Sequence, residues 1–171
     1  MDPYVQLARN TIDLYIRKRQ VYRPAPEELT EEMRTGRAGA FVSIHKDGAL
    51  RGCIGTIEPI RETLAEEIVS NAISASTRDP RFPAVRENEL ETLEISVDVL
   101  GEPEPVSSEA ELDVKRYGVI AEKGYRRGLL LPDLEGVDTV DYQVYIAKMK
   151  AGIGPEERGV KLYRFEVIRH E

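Results

Sequence analysis

The sequence predicts an α+β fold with a mainly antiparallel sheet flanked by helices, on three observations. Strands pair locally as hairpins, and helices are few and interspersed between them. No Gly-rich phosphate loop follows any strand, which leaves dinucleotide-binding and P-loop readings without support. At 171 residues the chain has the length of one domain, or of one domain with a small satellite, and can bury a core without metal or disulfide help.

The elements follow in order. Asp2 and Pro3 read as an N-cap and first helical residue, and Val5, Ala8, Ile12 and Tyr15 carry a helix to about Arg19. Pro24 and Pro26 end it, and the acidic stretch from Glu27 to Arg34 has room for a short helix. Ala40 to His45 reads as a strand, Asp47-Gly48 as a type I′ hairpin turn, and Ala49 to Gly55 as the return strand. Pro59 is expected to open a helix with Ile60, Leu64, Ile68, Ala72 and Ala75 on one face and Glu62, Glu66 and Glu67 elsewhere. Its C-terminal half (Ala72, Ser74, Ala75, Ser76) is small enough for close approach by another element, and Asp79-Pro80-Arg81-Phe82-Pro83 breaks it. From Leu93 to Leu100 the chain alternates, with Leu93, Ile95, Val97 and Val99 on one face and Glu94, Ser96 and Asp98 on the other, as in a half-buried antiparallel strand. Glu102 to Pro105 is extended but cannot form a central strand. Tyr117–Ala121 and Arg126–Leu131 read as a second hairpin around Lys123-Gly124, Asp138 as the cap of a helix through Ala151 stopped by Gly152, and Tyr163, Phe165 and Val167 as one face of a last strand. No internal repeat or low-complexity tract appears in the sequence.

Composition narrows the function classes. A net charge of −7 opposes non-specific binding to nucleic acid or anionic membrane, though it leaves room for a local basic pocket. The single cysteine allows no intrachain disulfide and suits a reducing cytosol. No basic-then-apolar leader opens the sequence, and no apolar run reaches the roughly 20 residues a membrane span needs, so a cytoplasmic protein is expected.

The segment Leu50-Arg51-Gly52-Cys53-Ile54-Gly55 is the best candidate for a functional centre. An unbroken hairpin register from the Asp47-Gly48 turn would pair Lys46 with Ala49, Ile44 with Arg51 and Val42 with Cys53. Arg51 and Cys53 would then share a face about 7 Å apart, with His45, Leu50 and Ile54 on the other. That parity disfavours a Cys–His dyad, and His170 is the only other histidine. Two readings of Cys53 stand: a thiolate activated by the neighbouring Arg51 guanidinium, as a candidate catalytic residue, or a small buried hydrophobe. Gly52 and Gly55 mark a close approach, of a ligand or of another backbone. Arg51, Arg78, Arg81, Arg126 and Arg127 recur near breaks. They either converge on an anionic ligand or form ordinary ion pairs with the many carboxylates. Glu94 and Asp98 are expected on a solvated face. The one cysteine and two distant histidines give no metal-ligand spacing, so no metal or other cofactor is expected.

These residues resemble the AMMECR domain family. Gly39-Ala40-Phe41-Val42, the Asp-Gly turn and Leu50-Arg51-Gly52-Cys53-Ile54-Gly55-Thr56 look like its signature. Asp79–Pro83, Leu93–Val97, Arg127–Pro132 and Lys150-Ala151-Gly152 are similar to further family blocks in the same order. The resemblance spans nearly the whole chain as one domain, 1–171, and implies an α+β fold with a smaller subdomain beside a cleft that the signature strand lines. Prokaryotic members resemble protein A of the AmmeMemoRadiSam system, which implies a Memo-like protein and a radical-SAM protein as partners; no established reaction comes with the family. One departure bears on chemistry. The family's late helix often carries a second cysteine, and Ala147-Lys148-Met149 has none, so any thiol chemistry rests on Cys53 alone. The expectations that result are a partner- or ligand-binding module or, as the alternative, an enzyme or enzyme subunit acting on an anionic small molecule or peptide through Cys53 and Arg51. Gly52, Gly55, Arg78, Arg81 and Arg127 would line the ligand site. Nucleic-acid binding has only the arginines behind it.

Overall fold

Asp2 caps the first helix as its sequence suggests. In the computed structural model, which describes residues 1–171, its carboxylate accepts from the amides of Tyr4 and Val5, and α1 runs Pro3–Lys18. The chain then passes through a 3-10 turn (Pro26–Glu28) and α2 (Glu31–Thr35) into β1 (Ala40–Lys46) and β2 (Ala49–Gly55). Asp47 and Gly48 between them both have positive φ, as the type I′ turn requires. Helix α3 (Leu64–Thr77) and β3 (Leu93–Leu100) follow.

The expected helix start at Pro59 is corrected to Leu64, where Thr63 caps the Glu66 amide. The reason is Glu67, which is buried rather than on a polar helix face. Its carboxylate accepts from the amides of Ile60 (2.8 Å) and Arg61 (3.0 Å) and from the Thr56 hydroxyl (3.0 Å), which fixes residues 56–61 outside the helix. The expected last strand is two: β7 (Lys161–Phe165) and β8 (Val167–His170), separated by Glu166 and belonging to different sheets.

Two compact units result, Met1–Val99 with Ile168–Glu171, and Leu100–Val167. In the first, the sheet order is β2-β1-β3-β8. Ala40, Val42 and Ile44 of β1 and Leu93, Ile95, Val97 and Val99 of β3 meet Ile68, Ala72 and Ala75 of α3 and Val5, Ala8 and Ile12 of α1 in one core. Residues at i, i+4 and i+7 form the sheet-facing stripe of α3, as an amphipathic helix requires. His170 on β8 stacks on Tyr4 at 3.7 Å and bonds Asp2 at 2.8 Å, which ties the chain's end to the start of α1.

The second unit orders its sheet β4-β7-β5-β6, from β4 (Glu104–Val106), β5 (Gly118–Lys123), β6 (Arg126–Leu130) and β7. Pro105 sits on an edge strand, as its missing amide demands. Helix α4 (Val140–Ala151) packs on β5 and β6; its cap is Thr139 rather than Asp138, and Gly152 stops it in the left-handed region. Both units follow one plan: a hairpin, a helix, and a third strand antiparallel to the hairpin's first strand. The topology repeats where the sequence does not. No helix is long and apolar enough to cross a membrane.

Candidate functional site

The hairpin register breaks inside the signature strand. Lys46 faces Ala49 and His45 faces Leu50, but a bulge follows, and Ile44 faces Gly52, Ser43 faces Cys53 and Val42 faces Ile54. Arg51 is the extra residue. The expected pairs Ile44–Arg51 and Val42–Cys53 are therefore corrected by one position, and the faces are exchanged with them. The unbroken register would have put the Arg51 guanidinium opposite the fully buried Ile44, beneath α3, at a desolvation cost on the order of several kcal/mol. The bulge instead offers Gly52 and Ile54 to the core. Cys53 moves to the opposite face with Ser43, His45 and Ser96, so His45 and Cys53 share a face after all. No hydrogen bond joins them: the thiol lies 3.3 Å from the Ser43 hydroxyl.

Both glycines are accounted for by packing. A Cβ at Gly52 would stand 2.3 Å from the Ala75 carbonyl oxygen of α3, and one at Gly55 would strike the ring of Phe41, its cross-strand partner, at 2.2 Å. The small face of α3 and the signature glycine are thus two sides of one contact.

β2 is an edge strand, and the Asp79–Phe82 loop caps its free edge. The Cys53 amide donates to Asp79 Oδ2 (3.0 Å), the Arg81 guanidinium donates to the Cys53 carbonyl (3.3 Å), and Asp79 and Arg81 pair at 2.8 Å. Two side chains thereby replace a neighbouring strand, one way of closing an edge that would otherwise recruit another chain. Arg81 and the Cys53 amide hold the Asp79 carboxyl well below the usual range, against its burial. Arg51 is equally committed. It makes a two-pronged ion pair with Glu89 (both contacts 3.0 Å) and donates to the carbonyls of Pro83 (2.8 Å) and Ala84 (3.2 Å). The pair pulls the Glu89 carboxyl down to about 2.

Burial pushes the Cys53 thiol above its ordinary value; the Ser43 hydrogen bond and the Arg81 charge pull the other way and lose. The thiol is half-buried rather than sealed. On the same face Asp98 is fully buried, not solvated as expected, and it holds Arg169 of β8 at 2.8 and 3.1 Å.

The arginines divide. Arg51, Arg78 and Arg81 belong to the first unit, Arg126 and Arg127 to the second. Arg78 is exposed at the end of α3, Arg126 pairs with Glu157 at 2.7 Å, and Arg127 lies 3.5 Å from Glu122. Sequence reasoning missed Glu89, Ser43 and Asp79 as partners of the signature strand. The Asp79-Pro80-Arg81 spacing was available as a signal; nothing local points to Glu89. No three His, Cys, Asp or Glu side chains are grouped as a metal-ligand set. Beside Arg51 lies a depression of about 420 Å³ lined by Lys46, Arg51, Phe82, Arg86 and Glu89.

Comparison with known proteins fits this arrangement of blocks. A protein of Thermotoga maritima is 54% identical over 170 residues, covering 99% of this chain and 97% of that one. A protein of Clostridium acetobutylicum is 49% identical over 99% of this chain, yet the matched region makes up only 36% of its own length. The crystal structure of an uncharacterized protein from Pyrococcus horikoshii superimposes with a TM-score of 0.89 at 31% identity, over 97% of this chain and 88% of that one. The profile of the AMMECR1 family matches residues 5–170, and the chain belongs to that family.

Proposed function

We propose that this protein is a binding module in which the signature strand is framework, and that the surface beside Arg51 docks a partner chain. The observation that carries this reading is how fully the strand's polar groups are spent. The Cys53 amide and carbonyl are taken by Asp79 and Arg81, and Arg51 by Glu89 and two carbonyls. An arginine already holding a carboxylate with both prongs has little left for an anionic substrate. The half-buried thiol, with its titration pushed up, is the reverse of an activated thiolate. Lys46 and the unpaired side chain of Arg86 leave the adjoining depression cationic, which suits an acidic segment of a partner. The Clostridium relative, in which this domain is about a third of a longer chain, accords with a module that works beside other domains. By family resemblance the partners would be a Memo-like protein and a radical-SAM protein.

The enzyme reading, with Cys53 as nucleophile, has one observation in its favour: the bulge brings His45 to the thiol's face. Two measurements separate the readings. Cys53→Ser is expected to co-purify with the partners as wild type does, and Arg86→Glu to lose them. Iodoacetamide should alkylate the native thiol at pH 7.5 more slowly than it alkylates free cysteine. A faster reaction, or loss of capture on Cys53→Ser with capture retained by Arg86→Glu, would reject the module reading.

A further inference from the structure

The segment from Val21 to Thr35 anchors itself by burying Met33 in the core of the first unit, and outside that anchor it shapes a further feature. With the side of α3 it lines an open cavity of about 690 Å³, within the roughly 300–1,000 Å³ typical of small-molecule sites. Its wall is apolar: Val21, Tyr22 and Leu29 on one side, Val69 and Ile73 of α3, one turn apart, on the other. The wall is braced from behind, because the Tyr22 hydroxyl donates to Glu28 at 2.6 Å.

The rim has the opposite character. Arg23, Arg34 and Arg61 line it, and Glu66 is the only carboxylate among the lining residues. Arg23 and Arg34 make no ion pair or side-chain hydrogen bond, and Arg61 reaches only the Ser70 hydroxyl, at 3.2 Å. Glu66 is turned to the Glu62 amide. Several arginines elsewhere in this acidic chain find carboxylates, as Arg51 has Glu89, Arg81 has Asp79, Arg126 has Glu157 and Arg169 has Asp98, whereas the three gathered here have none. A local surplus of guanidinium groups over an apolar wall, in a chain of net charge −7, is complementary to one kind of ligand. Guanidinium forks match carboxylate geometry with two hydrogen bonds, and the wall takes an apolar body out of water.

We propose that this cavity binds a small amphipathic carboxylate, its aliphatic or aryl body against Val21, Tyr22, Leu29, Val69 and Ile73 and its carboxylate held by Arg23 and Arg34. The proposal goes beyond the docking surface beside Arg51 and does not depend on it.

Decanoate, kept below its micelle concentration, is the probe, titrated calorimetrically into the full chain at low salt. Decanol and acetate serve as the apolar-only and charge-only comparisons. The expected result is one decanoate per chain, weakened roughly tenfold or more in the Arg23→Gln/Arg34→Gln double variant, with decanol and acetate both binding less well. Because neither arginine has a partner to lose, the variant should melt with wild type. No decanoate binding to wild type would overturn the proposal, as would equal binding to wild type and variant, or acetate binding as well as decanoate. Capture by anionic phosphatidylserine vesicles without binding of free decanoate would make this a membrane-contact face and overturn it too.

Discussion

Replacing Gly52 with alanine is the sharpest test of why the signature strand is built as it is. The added Cβ would meet the Ala75 carbonyl oxygen at 2.3 Å and its carbonyl carbon at 3.3 Å. Close carbon–oxygen contacts in proteins settle at roughly 3.3–3.6 Å, so the strand and the helix backbone must part by about 1 Å. Neither side yields easily. Ala75 shares its core with the fully buried Val42 and Ile44 of β1, and β2 is held from its edge by Asp79 and Arg81. Overpacking of this kind costs about 1–3 kcal/mol, offset by the roughly 0.5–1 kcal/mol that alanine gains over glycine in a strand. A net loss of about 1–2 kcal/mol in a chain of this size lowers the melting temperature by roughly 2–8 °C. Thermal unfolding followed by circular dichroism reads this directly. Gly101→Ala is the control, since its Cβ would meet nothing nearer than 3.4 Å and its φ is not positive. If Gly52→Ala melts with Gly101→Ala, the helix is not what requires the glycine, and a bound ligand again becomes the reason for it.

Two further outcomes follow from the same strand. Glu89 titrates at about 2 in the fold against an ordinary value of 4.5, so its pair with Arg51 stabilises fully above that ordinary value and fades as pH falls toward 2. Urea midpoints of wild type and Glu89→Gln should therefore differ most near pH 7, draw together as pH falls below the ordinary value and converge only near about pH 2; parallel curves would sink the linkage. Asp79→Asn removes the charge from a nearly buried carboxylate that binds both Arg81 and the Cys53 amide, and should cost about 2–3 kcal/mol. Hydrogen exchange at the Cys53 amide should accelerate with it, and unchanged protection would show that Asp79 does not close the strand edge.

Much of this fold was legible because its signals are local. The Asp2 cap, the Asp47-Gly48 turn and the alternation of Leu93–Leu100 each depend on residues within a few positions, and each stands where the sequence puts it. The failures are non-local. Pro59 looked like a helix start, but Glu67, a turn inside the helix, claims the amides of Ile60 and Arg61 and the hydroxyl of Thr56 across the loop. Asp98 looked solvated because alternation reports which face a side chain takes and not what covers it; Arg169, at the far end of the chain, is its partner. The register error is the most instructive. An arginine opposite the centre of a buried strand was a contradiction visible in the sequence, and a one-residue bulge is the smallest repair, because a single slip exchanges the two faces.

The second unit shows how much of the signature is architecture. Its β6 repeats the Arg-Gly pair as Arg127-Gly128, again in the second strand of a hairpin and again under a helix: a Cβ at Gly128 would stand 2.3 Å from the Ala147 carbonyl oxygen. Arg127 lies by a carboxylate, Glu122, as Arg51 does by Glu89. Position 129, which follows the glycine as Cys53 follows Gly52, is a leucine. The Arg-Gly device therefore needs no thiol, and its presence beside Cys53 is no argument that Cys53 reacts. What the first unit has and the second lacks is the surrounding set: the Asp79–Arg81 clamp on the strand edge, the Ser43 hydroxyl against the thiol, and the cationic depression beside Arg51. A function specific to the signature strand has to be sought in those additions: the clamp spends the strand's free edge, the Ser43 hydroxyl and the Arg81 charge favour the thiolate but are outweighed by burial, and the depression is the addition on which the proposed docking would rest.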